Sequence, residues 1–330
     1  MYPLLKLIIA HLGPHKSFDS ATLARRSELA KRCSDQVGMM KRDRHTMRKR
    51  NLAARSNDGD GNTTYTITAA APKYDFLKND TCILTPETSN GPYVYPPSQL
   101  LRQNMVENQV GVPLELDIGL IDVNTCEPLT NVLVDIWHCN ATGSYSSFTG
   151  LDPNTDFGTL YHNLTNTYPN GTHGLGDLEW MHTDNATWLR GMWPTDKHGA
   201  TSFQTIFPGF YVERAIHIHA QVHTNWSVLT NGTIAHGRTV STGQIFIDEA
   251  LEEEIMALEP YASHTQITRY TNVEDGIYST ESETGAMTIL DTEPLDGVDY
   301  KNGVLGYITF GVDTTQIRDG STVNANPSVV

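Results

Sequence analysis

Two histidines and a tyrosine lie close together in the middle of the chain, in the segment FPGFYVERAIHIH from Phe207 to His219. Side chains alternate between the faces of a β-strand, so His217 and His219 point the same way and can bind one metal ion. Imidazole suits zinc, copper, iron and nickel, so these histidines alone do not identify the metal. Tyr211 favours trivalent iron, because a phenol with a pKa of about 10 needs a strong Lewis acid to ionise near neutral pH.

A second tyrosine, Tyr145, ends the run WHCNATGSY that starts at Trp137. It belongs to an ordered set of motifs: NGPY at 90–93, GVPL at 111–114, WHC at 137–139, GSYS at 143–146, LRG at 189–191, TD at 195–196, FQTIFPGFY at 203–211 and GQIF at 243–246. This set extends over about residues 82 to 312. It resembles the intradiol ring-cleavage dioxygenases, and most of all their secreted fungal branch.

The resemblance implies a specific site. The four protein ligands of a non-haem Fe(III) would be Tyr145, Tyr211, His217 and His219. Tyr211 would also be the axial ligand that leaves the metal and takes a substrate proton. Arg214 would stabilise negative charge on the substrate ring, and Gln244 would lie near the oxygen-derived group. The substrates would be a catechol-type diol and O2, and the product a muconic acid.

Two other functions are compatible with parts of the pattern. His223 faces the same side of a strand as His217 and His219, which would suit a cupin-like metal oxidase that uses no tyrosine. A β-sandwich binding module for phenolics or glycans could keep the fold without turnover. His138 is interpreted as a packed histidine beside the site, and Tyr93 and Tyr95 as ordinary aromatics. A wine-red iron–phenolate colour would distinguish the dioxygenase from both alternatives.

Charged residues are distributed unevenly along the 330-residue chain. Residues 1 to 56 contain thirteen of the 23 Lys and Arg but only four of the 38 Asp and Glu. The acidic remainder argues against nucleic acid as a partner. We predict a basic secretory and pro-segment at 1–56, cut at one of its basic pairs and lying outside the folded domain. A catalytic domain would follow at 57–312, with a flexible tail at 313–330.

Secretion is indicated by the sequons and only weakly by the N-terminus. The apolar run from Leu4 to Leu12 is interrupted by Lys6, is too short to span a bilayer, and is a weak or incomplete signal. Eight asparagines lie in Asn-x-Ser/Thr sequons: Asn62, Asn79, Asn140, Asn163, Asn170, Asn185, Asn225 and Asn231. This density is typical of a secreted glycoprotein.

The cysteines outside the predicted pro-segment are Cys82, Cys126 and Cys139, so this part of the chain can form at most one internal disulfide. Cys126 and Cys139 are separated by a strand, which makes Cys82 the expected partner of one of them. Cys33 is expected to belong to the pro-segment.

Alternating apolar residues predict a mainly β fold. The runs at 114–120 and 132–137 predict a meander pair of strands, and further strands are expected at 200–206, 215–222 and 244–247. Asp248 is predicted to cap a helix that ends before Pro260. The stretch at 152–187 predicts a long loop near the site mouth. Short strands with few helices and long loops fit the β-sandwich that the resemblance also implies.

Overall fold

The fold is mainly β, as the sequence predicts. A computed structural model describes residues 24, 28, 31–55, 83–84, 88, 91–98, 100–166, 181–230, 234–283 and 288–317. The strands are β1 (Ile83–Leu84), β2 (Pro113–Asp122), β3 (Leu133–Trp137), β4 (Arg190–Pro194), β5 (Ala200–Ile206), β6 (His217–Thr224), β7 (Ser227–Val228), β8 (Ile234–Ala235), β9 (Arg238–Phe246), β10 (Asp291–Pro294) and β11 (Val304–Val312). The helices are α1 (Ser34–Arg55), α2 (Phe157–Thr165), α3 (Glu249–Met256) and α4 (Gly276–Glu283).

Two sheets make the sandwich. The first has the order β1-β11-β2-β5, with β10 also paired to β11, and the second has the order β4-β3-β6-β9. The predicted meander of β2 with β3 is therefore wrong, because the two strands lie in different sheets. In both strands, every second residue is apolar and faces a common core. This sequence pattern is the same whether two strands pair within one sheet or pack face to face in a sandwich, so it could not distinguish the two arrangements.

The alternation in β6 decides which side carries the histidines. Ile218, Ala220 and Val222 face the core between the sheets. His217 and His219 must then project from the opposite face of the second sheet. Loops cover this face with a separate cluster of buried aromatic residues, so both histidines are buried although they lie outside the main core.

The N-terminal helix α1 packs on the first sheet. Arg44 is buried and binds the Asp117 carboxylate, the Thr309 hydroxyl and the backbone carbonyl of Ile308. A Cβ at Gly119 would lie only 1.8 Å from Arg44 Nη1, so any larger residue at this position of β2 would displace the Arg44 guanidinium. Lys41 adds an ion pair of 2.9 Å to Asp291. The expectation that residues 1–56 lie outside the folded domain is thus wrong for the described part of α1, whereas proteolytic processing stays a prediction.

A disulfide joins the same helix region to the domain. Cys33 and Cys126 are bonded across 93 residues, and Cys139 is a buried free thiol. Cys126 and Cys139 do not pair, as expected, but the predicted bond of one of them with Cys82 is wrong. The sequence places Cys33 in the predicted pro-segment, but the packing of α1 brings it into contact with Ile121 and Val123. Cys82 lies outside the described residues.

Loss of this disulfide is expected to lower the free energy of unfolding by about 2 to 5 kcal/mol, because it closes a long loop in the unfolded chain. The test is denaturant unfolding of Cys33→Ala/Cys126→Ala beside the wild type, with and without reductant. Equal stability of the two proteins without reductant would contradict the pairing. The reductant should weaken the wild type and leave the double variant unchanged.

Three local expectations have different outcomes. Asp248 caps α3 by accepting bonds from the backbone N–H groups of Ala250 and Leu251, as predicted. The predicted loop at 152–187 contains α2, which packs Phe157, Leu160 and Tyr161 into the aromatic cluster. Residues 313–315 are hydrogen-bonded to β2, to the turn that follows it and to Arg238, so the predicted flexible tail does not begin at 313.

Among the described helices, none is long and apolar enough to cross a membrane.

Candidate metal centre

Adjacent same-face positions on β6 bring two imidazoles together. The Nε2 atoms of His217 and His219 are 3.2 Å apart. His217 Nδ1 lies 2.7 Å from the carbonyl oxygen of Ala215, which can only accept, so Nδ1 carries a proton. In the neutral ring, Nε2 then has the lone pair that could bind a metal. Burial, with the nearby charges of Arg214 and Arg190, lowers the pKa of His219 well below its ordinary value, so this ring is neutral.

Tyr211 follows β5 through the Pro208-Gly209 turn and lies against His217. Its hydroxyl is 3.3 Å from His217 Nε2. Burial raises the pKa of Tyr211 to about 12, although the positive charge of Arg214 partly offsets this effect. The phenol therefore stays protonated near neutral pH unless a stronger positive charge binds it.

Tyr145 reaches the same side from the loop after β3. Its ring centroid is 5.7 Å from that of Tyr211 and 6.2 Å from that of His219. Gly143 shapes this loop, because its φ is +85° and a Cβ there would lie 2.2 Å from the Phe210 carbonyl oxygen. Among the described residues, the buried Tyr145 hydroxyl has no hydrogen-bond partner, and burial raises the pKa of Tyr145 well above its usual range. A phenol hydroxyl that is buried without a hydrogen bond costs free energy, so we expect this oxygen to bind another group.

Arg214 extends into the group from the turn before β6. Its Nη1 lies 3.3 Å from the Tyr211 hydroxyl and 3.4 Å from His217 Nε2. Its Nη2 donates to Gln244 Oε1, and Gln244 stands opposite His219 in the pairing of β6 with β9. The six site residues predicted from the sequence therefore lie on one side of the second sheet: Tyr145, Tyr211, Arg214, His217, His219 and Gln244. Their chemical roles stay predictions.

The other histidines considered lie elsewhere. His138 bonds the Cys139 carbonyl and the Thr205 hydroxyl, each at 2.7 Å. His223 bonds the Thr239 hydroxyl at 2.9 Å and its ring packs 4.0 Å from that of His236. Among the described residues, no group of three or more His, Cys, Asp or Glu could hold a metal ion. The histidine-only alternative therefore has no support in the described part of the chain.

Three neighbours of the site were missed in the sequence. The Tyr93 ring stacks on that of Tyr145 with centroids 4.4 Å apart, and Trp137 stacks on His219 at 4.8 Å. Asp275 pairs with Arg214, with Nε and Oδ2 2.6 Å apart. Tyr93 and Trp137 both stand in the motifs of the resemblance, which is a signal that could have identified them. Asp275 stands in none of these motifs.

Comparison with known proteins supports one family. No protein-family model matches the chain. No curated protein matches it either. An intradiol ring-cleavage dioxygenase from Tetranychus urticae is similar, with 27% identity and a TM-score of 0.56 over 72% of this chain and 98% of that one. A second dioxygenase structure has 26% identity and a TM-score of 0.53, with the same coverage of 72% and 98%.

Both likenesses cover 98% of the length of the other chain. They confirm the resemblance inferred from the ordered motifs, while its secreted fungal branch stays a prediction. The sandwich fold and the grouping of Tyr145, Tyr211, His217 and His219 on one sheet face agree with this resemblance. The chain is thus similar in sequence and fold to the intradiol ring-cleavage dioxygenases.

Proposed function

We propose that the protein is a non-haem Fe(III) dioxygenase that opens catechol-type aromatic diols between their two hydroxylated carbons. In this reaction one carbon–carbon bond breaks, both atoms of O2 enter the product, and a muconic acid forms. The observation that carries the proposal is the grouping of two buried phenols with two buried imidazoles on one face of β6 and its loops.

The residues present fit a ferric ion. The buried Tyr145 hydroxyl finds no hydrogen-bond partner in the described part of the chain, and His217 Nε2 lies 3.2 Å from His219 Nε2 and 3.3 Å from the Tyr211 hydroxyl. Both phenols have raised pKa values, so their ionisation requires a strongly Lewis-acidic cation. Tyr145, Tyr211, His217 and His219 would hold this ion through two hard anionic oxygens and two nitrogens. This donor set suits iron better than it suits zinc.

When bound, the ferric ion would withdraw electron density from the diol and make its aromatic ring reactive toward O2. The remaining functions belong to the chain. Once ionised in the iron-loaded site, the Tyr211 oxygen would accept a proton from the substrate. Arg214 Nη1 lies 3.3 Å from this oxygen and would help to stabilise its negative charge. The same guanidinium supplies a permanent charge for a developing ring anion. Burial of the group excludes water, which strengthens each of these electrostatic effects.

The test combines iron content, colour and activity. The purified protein should bind about one iron per chain, absorb visible light through its iron–phenolate bonds, and consume O2 when catechol is added. Product analysis should give the muconic acid. An active protein that cleaves beside the diol would overturn the intradiol assignment, and a colourless protein that binds phenolics without turnover would favour the binding-module alternative.

We also propose that the enzyme is secreted and glycosylated. The disulfide between Cys33 and Cys126 is typical of proteins from oxidising compartments. The sequon residues Asn163, Asn185 and Asn225 are exposed, whereas Asn62, Asn79, Asn170 and Asn231 lie outside the described residues. Peptide mapping of protein from the culture medium, with and without glycosidase, tests the proposal. Protein found only inside the cells would contradict it.

A further inference from the structure

We propose that Asp275 is a positioning residue that fixes the guanidinium plane of Arg214 at the metal centre. This inference rests on the proposed dioxygenase function, since it concerns the residue that would stabilise charge on the substrate. Asp275 itself touches no expected metal ligand in the described hydrogen-bond network. It would act on the reaction only through Arg214.

Both oxygens of Asp275 are fully used. Oδ2 accepts bonds from Arg214 Nε at 2.6 Å and from the Ala215 backbone N–H at 3.0 Å. Oδ1 accepts from the backbone N–H groups of Ile277 and Tyr278, at the start of α4, at 2.8 and 3.2 Å. The carboxylate therefore joins the turn before β6 to the first turn of α4.

The contact at Nε determines where the rest of Arg214 can point. A guanidinium is planar and rigid, so fixing Nε and the plane also fixes the directions of both Nη atoms. In this orientation Nη1 lies 3.3 Å from the Tyr211 hydroxyl, and Nη2 donates to Gln244. Loss of the carboxylate would remove the ion pair that holds Nε of this buried guanidinium, which would then reorient toward other acceptors or water.

Electrostatics favours the ionised pair. Burial alone would raise the pKa of Asp275, but the Arg214 guanidinium and the backbone N–H groups outweigh this effect and hold it below its usual range. The ion pair with Arg214 therefore keeps the Asp275 carboxylate charged at working pH.

The segment that carries Asp275 is itself anchored to the strand of Gln244. The Asn272 side chain donates to the Ile247 carbonyl at 2.7 Å, just after β9. Arg269 binds Glu249 of α3 at 2.9 Å and also binds Glu252. Asp275 and Gln244 contact the same guanidinium from two sides. The bonds above hold the segments that carry these two residues in one part of the fold.

Asp275→Asn should lower kcat by about 10- to 100-fold, because a small displacement of a group at the reacting centre costs this much. Iron content and the iron–phenolate band should stay unchanged. Asp248→Asn is the matched control, since Asp248 caps α3 in the same manner but does not contact Arg214. This control should keep full activity, because Asn and Asp cap helices equally well.

A double-mutant cycle separates positioning from general stabilisation. Asp275→Asn added to Arg214→Ala should lower kcat no further than Arg214→Ala alone, whereas a merely structural role would make the losses multiply. If Asp275→Asn does not fold, Asp275→Ser replaces it, because serine still caps α4 and lacks the carboxylate.

The inference is overturned by full activity of either Asp275 variant, by multiplying losses, or by failure of both variants to fold. Inactivity of the iron-loaded wild type and of Asp248→Asn would instead contradict the proposed function.

Discussion

Tyr211→Phe is expected to lower catechol-dependent turnover by about 100- to 10,000-fold while most of the iron stays bound, because general-base catalysis contributes this much. The substitution removes only the oxygen that lies 3.3 Å from both His217 Nε2 and Arg214 Nη1. Tyr145, His217 and His219 remain as ligands in the proposed site. Oxygen uptake and iron content, measured on the same preparation, test this prediction.

Tyr300→Phe is the matched control for Tyr211→Phe. The Tyr300 hydroxyl bonds the Thr292 carbonyl on β10, in the sheet that does not carry β6. Its loss should lower the free energy of unfolding by about 1 kcal/mol and leave turnover unchanged. Full activity of Tyr211→Phe would mean that another group accepts the substrate proton.

His219→Ala is expected to abolish iron binding, visible colour and oxygen uptake together. The ring is buried between Trp137 and the His217 imidazole. The nearby His138 uses both of its ring nitrogens in other hydrogen bonds. Tyr211 is the ligand expected to leave the metal during the reaction, whereas His219 is expected to stay bound throughout, so only the loss of His219 should release the ion. Iron analysis and the visible spectrum should therefore change in parallel.

His223→Gln is the informative comparison for His219→Ala. His223 lies on the same strand, but it bonds Thr239 and packs against His236. This variant should keep its iron and its colour per folded molecule. Iron loss in His223→Gln, with iron retained in His219→Ala, would revive the histidine-only alternative and contradict the proposed ligand set.

The family and much of the site could be inferred from local sequence. The spacing of His217 and His219 places both rings on one strand face, because the backbone of a strand repeats every two residues. Asp248 caps α3 because a side-chain oxygen there reaches the first free N–H groups of the helix. The order of the motifs identified the family, and Tyr145 and Tyr211 were singled out because they stand in those motifs.

Contacts between distant segments depended on tertiary structure. Apolar alternation in β2 and β3 indicates a buried face but not which strand lies beside it, and the two strands proved to lie in different sheets. Charge composition assigned α1 to a separate segment, yet its basic residues Arg44 and Lys41 bind acids of the first sheet. A basic surface helix and a docked one have the same composition, so composition could not distinguish them.

The sequence by itself determined what each short segment can do: the strand with two same-face histidines, the two candidate phenol ligands and the capped helix α3. Only the tertiary structure decided that Cys33 bonds Cys126, that Tyr93 stacks on Tyr145, and that Asp275 pairs with Arg214. The physical reason is the range of the interactions. Backbone period and capping act within a few residues, whereas these three contacts form only where the burial of many side chains brings remote parts of the chain together.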